Sequence, residues 1–288
     1  MKKGKYLLAM LFLILAIVSP ETVFAWGPGV HLALGNTVLA QLQLLTEPVA
    51  QILSLKSEAF LYGCLSADIL IGKGKKLTPR HCHSWQAGFR LLNSQRSPSL
   101  LAYAYGYLSH LAADVIAHNY YIPNMLQVKG FRGKLNHVYL EMQADRSIDY
   151  SKDQLKHLMK SRFREADREL LLSLQKSKFI FSFKKKIYRS GLALSRNMSS
   201  QGRTKPFMKS SLNTVSKSEY LEDMLQLSLQ VVADCLNKQV LSPVRDHDPM
   251  GFDNLRLVKE SRPGIFTMDR KKSQVALFFI PSMKLSAS

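Results

Sequence analysis

The sequence predicts an all-α protein, and three features of the chain support this prediction. Apolar residues recur at helical spacing in nearly every segment after residue 25, as in HLALGNTVLAQLQLL from His31. No segment shows the strict alternation of apolar and polar residues that a half-buried strand requires. The segment 99–122, bounded by Pro98 and Pro123, is apolar on most faces, which is typical of a buried helix.

The first half of the chain divides into short predicted helices. The first begins near His31 and is interrupted by Pro48, and the second begins at Ser57, a possible N-cap. A stretch rich in Gly, Lys and Pro over residues 72–85 predicts a loop, and another helix follows from about Gln86.

Beyond the central segment, the pattern predicts a helix from about Lys134 and amphipathic helices over 151–176 and 218–240. A Ser- and Lys-rich connection occupies residues 197–218. The stretch QVALFFIPS near the end predicts either a short strand or a packed tail.

The first 25 residues are typical of a signal peptide rather than an uncleaved anchor. Lys2, Lys3 and Lys5 precede an apolar run, YLLAMLFLILAIV, which ends before Pro20. The run is shorter than the roughly 20 residues of a membrane span. We therefore expect cleavage before Trp26 and export to the periplasm or the extracellular space.

The expected mature chain suits one large domain or two small ones. We predict a helical core over residues 26–175 and a basic, mainly helical region over 176–288 that completes the same domain. The net charge of the whole chain is +19, and 11 Lys and Arg without any Asp or Glu lie between 176 and 217. This run favours an anionic partner, either a phospholipid surface or a nucleic acid, although a solvated basic loop would look the same.

The three cysteines are too few for a disulfide framework, and their odd number leaves at least one unpaired. Stability must therefore come from packing or from metal. The sequence gives no sign of a stable protein partner.

The central apolar helix carries the most informative polar residues. His110, Asp114 and His118 are spaced four residues apart and share one face of a helix. Burying a carboxylate and two imidazoles is costly unless something compensates, and a metal ion does so directly. The next predicted helix repeats the spacing with His137 and Glu141.

Six of the eight histidines lie between residues 31 and 137, in the segment that also contains the acids Asp68, Asp114 and Glu141. Imidazole and carboxylate ligands with little thiolate suit zinc, although composition alone leaves manganese and iron open. Histidines that only hydrogen-bond within the core are the alternative, and the clustering favours a metal.

The predicted cleavage site adds another ligand. A free α-amino group has a pKa of about 7.7–8.0, so it can lose its proton and bind zinc. Such an amine exists at Trp26 only after cleavage. Trp26 would supply its amine and carbonyl oxygen, and His31 would lie close enough to join it.

Five motifs occur together in one order: WGPGVH, SADIL, HCHSW, HLAADVIAH and HVYLE. With them, the chain resembles the superfamily of trinuclear zinc phospholipases C and single-strand-specific nucleases over residues 26–141. The resemblance implies a mainly helical domain in which up to three zinc ions occupy a cleft.

The resemblance also implies the ligands, nine residues in all. One zinc would be held by Asp68, His83, His110 and Asp114. Asp114 would bridge to a second zinc, held by Trp26 and His31. The third would be held by His118, His137 and Glu141.

This sequence departs from the family pattern at two positions. The family places its next histidine more than four residues after the HxxxD motif, so His118 requires shifted helix geometry or a local break. The HCHSW motif offers both His81 and His83, and the family spacing favours His83, with His81 or Cys82 beside the site or solvated.

The resemblance implies a zinc-dependent phosphodiester hydrolase, because zinc lowers the pKa of a bound water toward 7 and so supplies hydroxide. Asp68 is either a general base or a ligand only. Glu141 favours a phospholipase C that releases diacylglycerol and a phosphorylated head group, with a membrane phospholipid as substrate. The short spacing from Trp26 to His31 instead favours a secreted nuclease, and a zinc protein without turnover is a third alternative.

Overall fold

The computed structural model describes residues 26–70, 78–94, 97–128, 134–200 and 214–260. Within these ranges every regular element is helical, which confirms the all-α prediction. The predicted signal peptide, most of the Ser- and Lys-rich connection and the QVALFFIPS stretch lie outside the described residues.

The described residues form twelve α-helices. They are α1 (Pro28–Ala40), α2 (Glu47–Leu55), α3 (Ser57–Ser66), α4 (Trp85–Asn93), α5 (Pro98–Ile116), α6 (Ile122–Val128), α7 (Lys134–Ser147), α8 (Lys152–Lys160), α9 (Arg164–Leu174), α10 (Lys178–Ser200), α11 (Thr214–Lys238) and α12 (Phe252–Glu260). Short 3₁₀ turns occupy Leu42–Leu44, Ala67–Leu70, Gln239–Leu241 and Pro243–Asp246. Within the described residues, no helix combines the length and apolar character that a membrane span requires.

Helix α5 lies at the centre of the core, as its composition predicts. Ser97 caps it by accepting a hydrogen bond from the Leu100 amide, and Pro98 occupies its first turn. Helices α3, α4 and α11 pack around α5. The backbones of α3 and α5 touch, because Gly63 and Gly106 face each other where any Cβ would lie within 3 Å of the opposite backbone.

The boundaries of three elements differ from the sequence prediction. The segment 151–176 forms two helices, α8 and α9, instead of one. Ser57 is the first residue of α3, and Lys56 occupies the N-cap position. The central helix is not continuous over 99–122, because the α-helix ends at Ile116 and a π-helical turn spans Ala117–Tyr121. This turn shifts the helix geometry at His118, one of the two solutions that the spacing required.

The C-terminal part of the described chain packs on the same central unit. Helix α11 runs against α5, and α12 packs against the π-helical turn. The cysteines at 64, 82 and 235 are buried and free. The core is therefore held by packing without disulfides among the described residues.

Candidate metal centre

Four predicted ligands converge in the core from three elements of the fold. Asp68 lies on the turn Ala67–Leu70, His83 lies in the loop before α4, and His110 and Asp114 lie one turn apart on α5. All four side chains are at most 5% exposed. Ser84, the next residue after His83, caps α4 by accepting from the Ala87 amide, which fixes where the loop ends.

The distances among these four side chains match a tetrahedral metal site. His83 Nε2 lies 3.1 Å from His110 Nε2, 3.3 Å from Asp68 Oδ1 and 3.3 Å from Asp114 Oδ2. His110 Nε2 lies 3.5 Å from Asp68 Oδ1 and 3.2 Å from Asp114 Oδ2. Zinc binds nitrogen and oxygen at about 2.0–2.2 Å, which places the ligands of a regular tetrahedron roughly 3.3–3.6 Å apart.

Hydrogen bonds on the far side of two imidazoles direct their Nε2 atoms as lone-pair donors. His110 Nδ1 lies 2.9 Å from the carbonyl oxygen of Cys64, and His118 Nδ1 lies 2.6 Å from that of Pro249. A carbonyl only accepts, so each Nδ1 carries the proton and each Nε2 keeps its lone pair. Histidines that bind metals are usually oriented in this way.

The second predicted zinc shares Asp114 with the first group. The other carboxylate oxygen of Asp114, Oδ1, lies 3.2 Å from His31 Nε2 on α1. The His31 ring stacks on the His110 ring with centroids 3.9 Å apart. Asp114 thus directs one oxygen toward each group, which is the arrangement that a bridging carboxylate requires.

Trp26 lies beside this second group. Its side chain is fully buried, and its indole nitrogen donates to the carbonyl oxygen of Ala113, the neighbour of Asp114, at 3.1 Å. The indole ring packs 4.8 Å from the ring of Tyr121 on the π-helical turn. Residue 25 and everything before it lie outside the described residues, so the Trp26 amine stays a predicted ligand.

The third predicted group is described in part. His118 on the π-helical turn and Glu141 on α7 are both buried, at 0% and 3% exposure. His137 belongs to α7, but its side chain lies outside the described residues. The third zinc therefore stays a prediction.

Burial and mutual contact shift the pKa values of the acids and imidazoles at this site. Burial acts to raise the pKa of Asp114, but His110, His31 and His83 outweigh it and hold that pKa well below its usual value. Burial likewise acts against protonated His83 and His110, yet Cys82 and then the two acids raise the pKa of His83, and Asp114 and Asp68 raise the pKa of His110. Burial and then the charges of Asp68, Asp114 and Asp145 raise the pKa of Glu141.

These residues fit zinc rather than an ordinary polar core. Asp68 Oδ2 is buried and receives no hydrogen bond from any described residue, although buried carboxylate oxygens are normally paired. A single proton on His83 Nε2 cannot serve His110, Asp68 and Asp114 at once, whereas a divalent cation between them can. Two imidazoles and two carboxylates are a ligand set that zinc accepts.

The structure separates the two histidines of HCHSW. Only His83 directs its Nε2 at Asp68 and Asp114. His81 Nδ1 accepts the backbone amide of His83 at 3.1 Å, and burial followed by the charge of His83 lowers the pKa of His81 to about 4. His81 therefore supports the loop as a neutral imidazole.

Two residues that sequence reasoning missed border the site. Asp145 on α7 accepts the backbone amides of Gly29 and Val30 at 3.1 and 2.9 Å and so holds the start of α1. It follows Glu141 by four residues, and this continuation of the His137–Glu141 spacing was the available signal. Tyr188 on α10 buries a hydroxyl that has no hydrogen-bond partner among the described residues, and burial and then the charge of Asp68 raise its pKa.

The described residues do not form the predicted cleft around the metal centre. The side chains of the described ligand residues are buried instead. The large groove of the structure lies elsewhere, between α8, α9 and α10, and none of the predicted ligands lines it. The segments 71–77 and 129–133, which follow Asp68 and precede α7, lie outside the described residues.

Comparison with known families agrees with this chemistry. A family model described as zinc dependent phospholipase C matches residues 30–188, which is more than half of the 288-residue chain. The matched range includes eight of the nine predicted ligand residues, and only Trp26 precedes it. The chain has no significant match among curated proteins or among solved structures.

Proposed function

The chain belongs to the zinc-dependent phospholipase C family, and on that premise we propose that it hydrolyses phospholipid to diacylglycerol and a phosphorylated head group. The observation that carries the proposal is the tetrahedral group of Asp68, His83, His110 and Asp114, with the second oxygen of Asp114 directed at His31. Phosphodiester hydrolysis is the chemistry that clustered zinc ions promote.

The proposed ligands divide into three groups, two of which share Asp114. Asp68, His83, His110 and Asp114 would hold the first ion, and Asp114 with His31 and the Trp26 amine and carbonyl would hold the second. His118, His137 and Glu141 would hold the third. When bound, zinc would lower the pKa of a coordinated water toward neutrality and neutralise charge on the phosphate.

Asp68 is the proposed proton acceptor. Its Oδ1 faces His83 and His110, while its Oδ2 is buried without a hydrogen-bond partner among the described residues. One oxygen can therefore serve as a ligand while the other accepts the proton of the attacking water. Tyr188 keeps its own proton at neutral pH, because burial and nearby acids raise its pKa, so its hydroxyl could donate a hydrogen bond but would not act as a base.

Export is part of the same proposal. Cleavage before Trp26 would create the amine, and the anchoring of the Trp26 indole on Ala113 supports a position for that amine close to Asp114. The structure of residues 1–25 lies outside the described range, so this step depends on the signal-peptide pattern of the sequence.

The experiment that tests the proposed function is a paired hydrolysis assay on protein that begins at Trp26. Phosphatidylcholine vesicles, soluble dihexanoyl phosphatidylcholine and single-stranded DNA are offered separately, each with and without a zinc chelator. Chelator-sensitive release of phosphorylated head group supports the proposal. Chelator-sensitive cleavage of DNA alone would assign the site to a nuclease, and a zinc-loaded protein inactive on all three would contradict both.

A further inference from the structure

Helix α10 exposes an apolar surface that the zinc chemistry does not use. Phe179 is 80% exposed, Phe183 is 52% exposed and Ile180 is 48% exposed. In helical projection these three lie within about 100° of one another, while the buried Phe181 and Tyr188 lie on the side that faces the core. Large apolar side chains grouped on one exposed helix face mark an interaction surface more often than chance exposure.

A groove of about 1650 Å³ adjoins this face, between α8, α9 and α10. Eleven Lys and Arg line it, and Asp167 is its single acid. Asp167 is already paired with Lys185 at 2.8 Å. The groove therefore presents a large net positive charge to any partner.

The groove also has apolar walls. Leu172 on α9 is 60% exposed, and Leu155, Met159 and Phe181 line the floor. Cations around apolar side chains are the combination found where a helix lies in the headgroup layer of a membrane. A nucleic-acid backbone would attract the same cations, and bases could stack on Phe179 and Phe183. The exposed aliphatic side chains of Ile180 and Leu172 beside these rings favour acyl chains instead.

We propose that α10, together with the basic groove beside it, is a docking surface for bilayers that contain anionic phospholipid. Phe179, Ile180 and Phe183 enter the acyl boundary. Lys178, Lys186 and Arg189, which are exposed and form no ion pair with any described residue, contact the anionic headgroups.

Docking through α10 would bring the candidate metal centre to the lipid surface. Helix α10 packs on the turn Ala67–Leu70 that carries Asp68, and Lys184 Nζ donates to the carbonyl oxygen of Leu70 at 3.1 Å. Phe183 precedes Lys184 directly, so the exposed face and the turn are separated by about one helix diameter, roughly 10 Å. The inference concerns binding and does not rest on the reaction proposed above.

The test is sedimentation of the zinc-loaded protein with vesicles in the cold. One set of vesicles is pure phosphatidylcholine, and the other contains about 30% phosphatidylglycerol, an anionic lipid. We expect binding to the anionic vesicles that weakens as salt rises. F179S/F183S should weaken it by about tenfold or more, since exposed apolar area is lost. K178Q/K186Q should weaken it by about fivefold for each charge removed.

Matched control variants replace exposed apolar and basic side chains elsewhere on the surface. Leu55→Ser with Leu241→Ser removes two side chains that are 68% and 81% exposed, and Lys56→Gln with Arg256→Gln removes two exposed charges. These variants should bind as the unmodified chain does. All variants should keep their thermal midpoint and their activity on soluble dihexanoyl phosphatidylcholine.

Three results would overturn the inference. The first is that the unmodified chain does not bind the vesicles. The second is that the control variants lose as much vesicle binding as the test variants. The third is that only the lysine variant loses vesicle binding while the chain binds single-stranded DNA tightly. Hydrolysis of soluble lipid without vesicle binding would contradict the docking surface and leave the proposed function intact. Vesicle binding without any hydrolysis would contradict the proposed function and leave the docking surface intact.

Discussion

His83 Nε2 and His110 Nε2 face each other at 3.1 Å in the interior of the protein, with a carboxylate oxygen on either side. Nδ1 of His110 donates to the carbonyl oxygen of Cys64, so in the neutral imidazole Nε2 can only accept. Two nitrogens and two oxygens in this geometry need a shared positive charge. A proton satisfies one pair of them, whereas a divalent cation satisfies all four.

Asp114 is the residue on which two of the predicted zinc groups depend. Asp114→Asn should reduce turnover by at least about 100-fold, because mutating a residue that only supports a metal ligand already costs about 10–100-fold and Asp114 is a proposed ligand itself. Metal analysis by mass spectrometry should show fewer zinc ions per chain. Asp153→Asn, a change at an exposed acid on α8, should leave both quantities unchanged, and normal turnover in the Asp114 variant would contradict the bridging role.

Protons and zinc should compete for the same imidazoles. Their surroundings, Cys82 and the acids for His83 and the acids for His110, raise the pKa of both above the usual histidine value, so without zinc both hold protons more strongly. Zinc binding must displace those protons, so affinity should increase as pH rises from 6 to 8, by about tenfold per pH unit for each proton released. Competition with a chelating dye measures this slope, and a pH-independent affinity would show that the imidazoles are not ligands.

The free amine of Trp26 can be tested without changing any side chain. A chain with one alanine added before Trp26 should lose zinc and activity, because its amine lies a residue away from the site. A chain that begins at Trp26 but carries one alanine after Ser288 is the control and should remain active. If the extended N-terminus binds zinc normally, the amine is not a ligand.

The loop before α12 should control His118. Gly251 has φ +57°, and a Cβ there would lie 2.3 Å from the backbone oxygen of His118. Gly251→Ala should therefore lower the free energy of unfolding by about 2 kcal/mol or more, and it should weaken zinc retention by moving Pro249 away from His118. Urea unfolding and metal analysis give both values.

Asp253→Ala, which truncates a nearby side chain that is 87% exposed, is the control for this loop and should match the unmodified chain in both measurements. Zinc retention that survives a measured loss of stability in the glycine variant would show that the loop does not position His118.

The sequence predicted those parts of the structure that depend on periodicity. Helical spacing identified the all-α class and the buried helix α5, and the four-residue spacing of His110 and Asp114 placed them on one face. The convergence of Asp68 and His83 on that face came only from the family resemblance. Their separation along the chain contains no distance information.

Other features could not be predicted because they depend on contacts between segments that are distant in the chain. The π-helical turn at Ala117–Tyr121 is bordered by contacts from a distant segment, since Asn119 donates to the carbonyl oxygen of Asp248 and His118 pairs with that of Pro249. The basic run predicted an anionic partner. The groove itself exists only because α8, α9 and α10 fold beside one another.

The most direct test of the metal centre is anomalous scattering at the zinc edge from crystals of the chain that begins at Trp26. We expect a peak about 2.0–2.2 Å from His83 Nε2, His110 Nε2, Asp68 Oδ1 and Asp114 Oδ2. A second peak should lie between Asp114 Oδ1 and His31 Nε2. An ordered group of these side chains with no peak between them, from zinc-supplemented protein, would contradict the account.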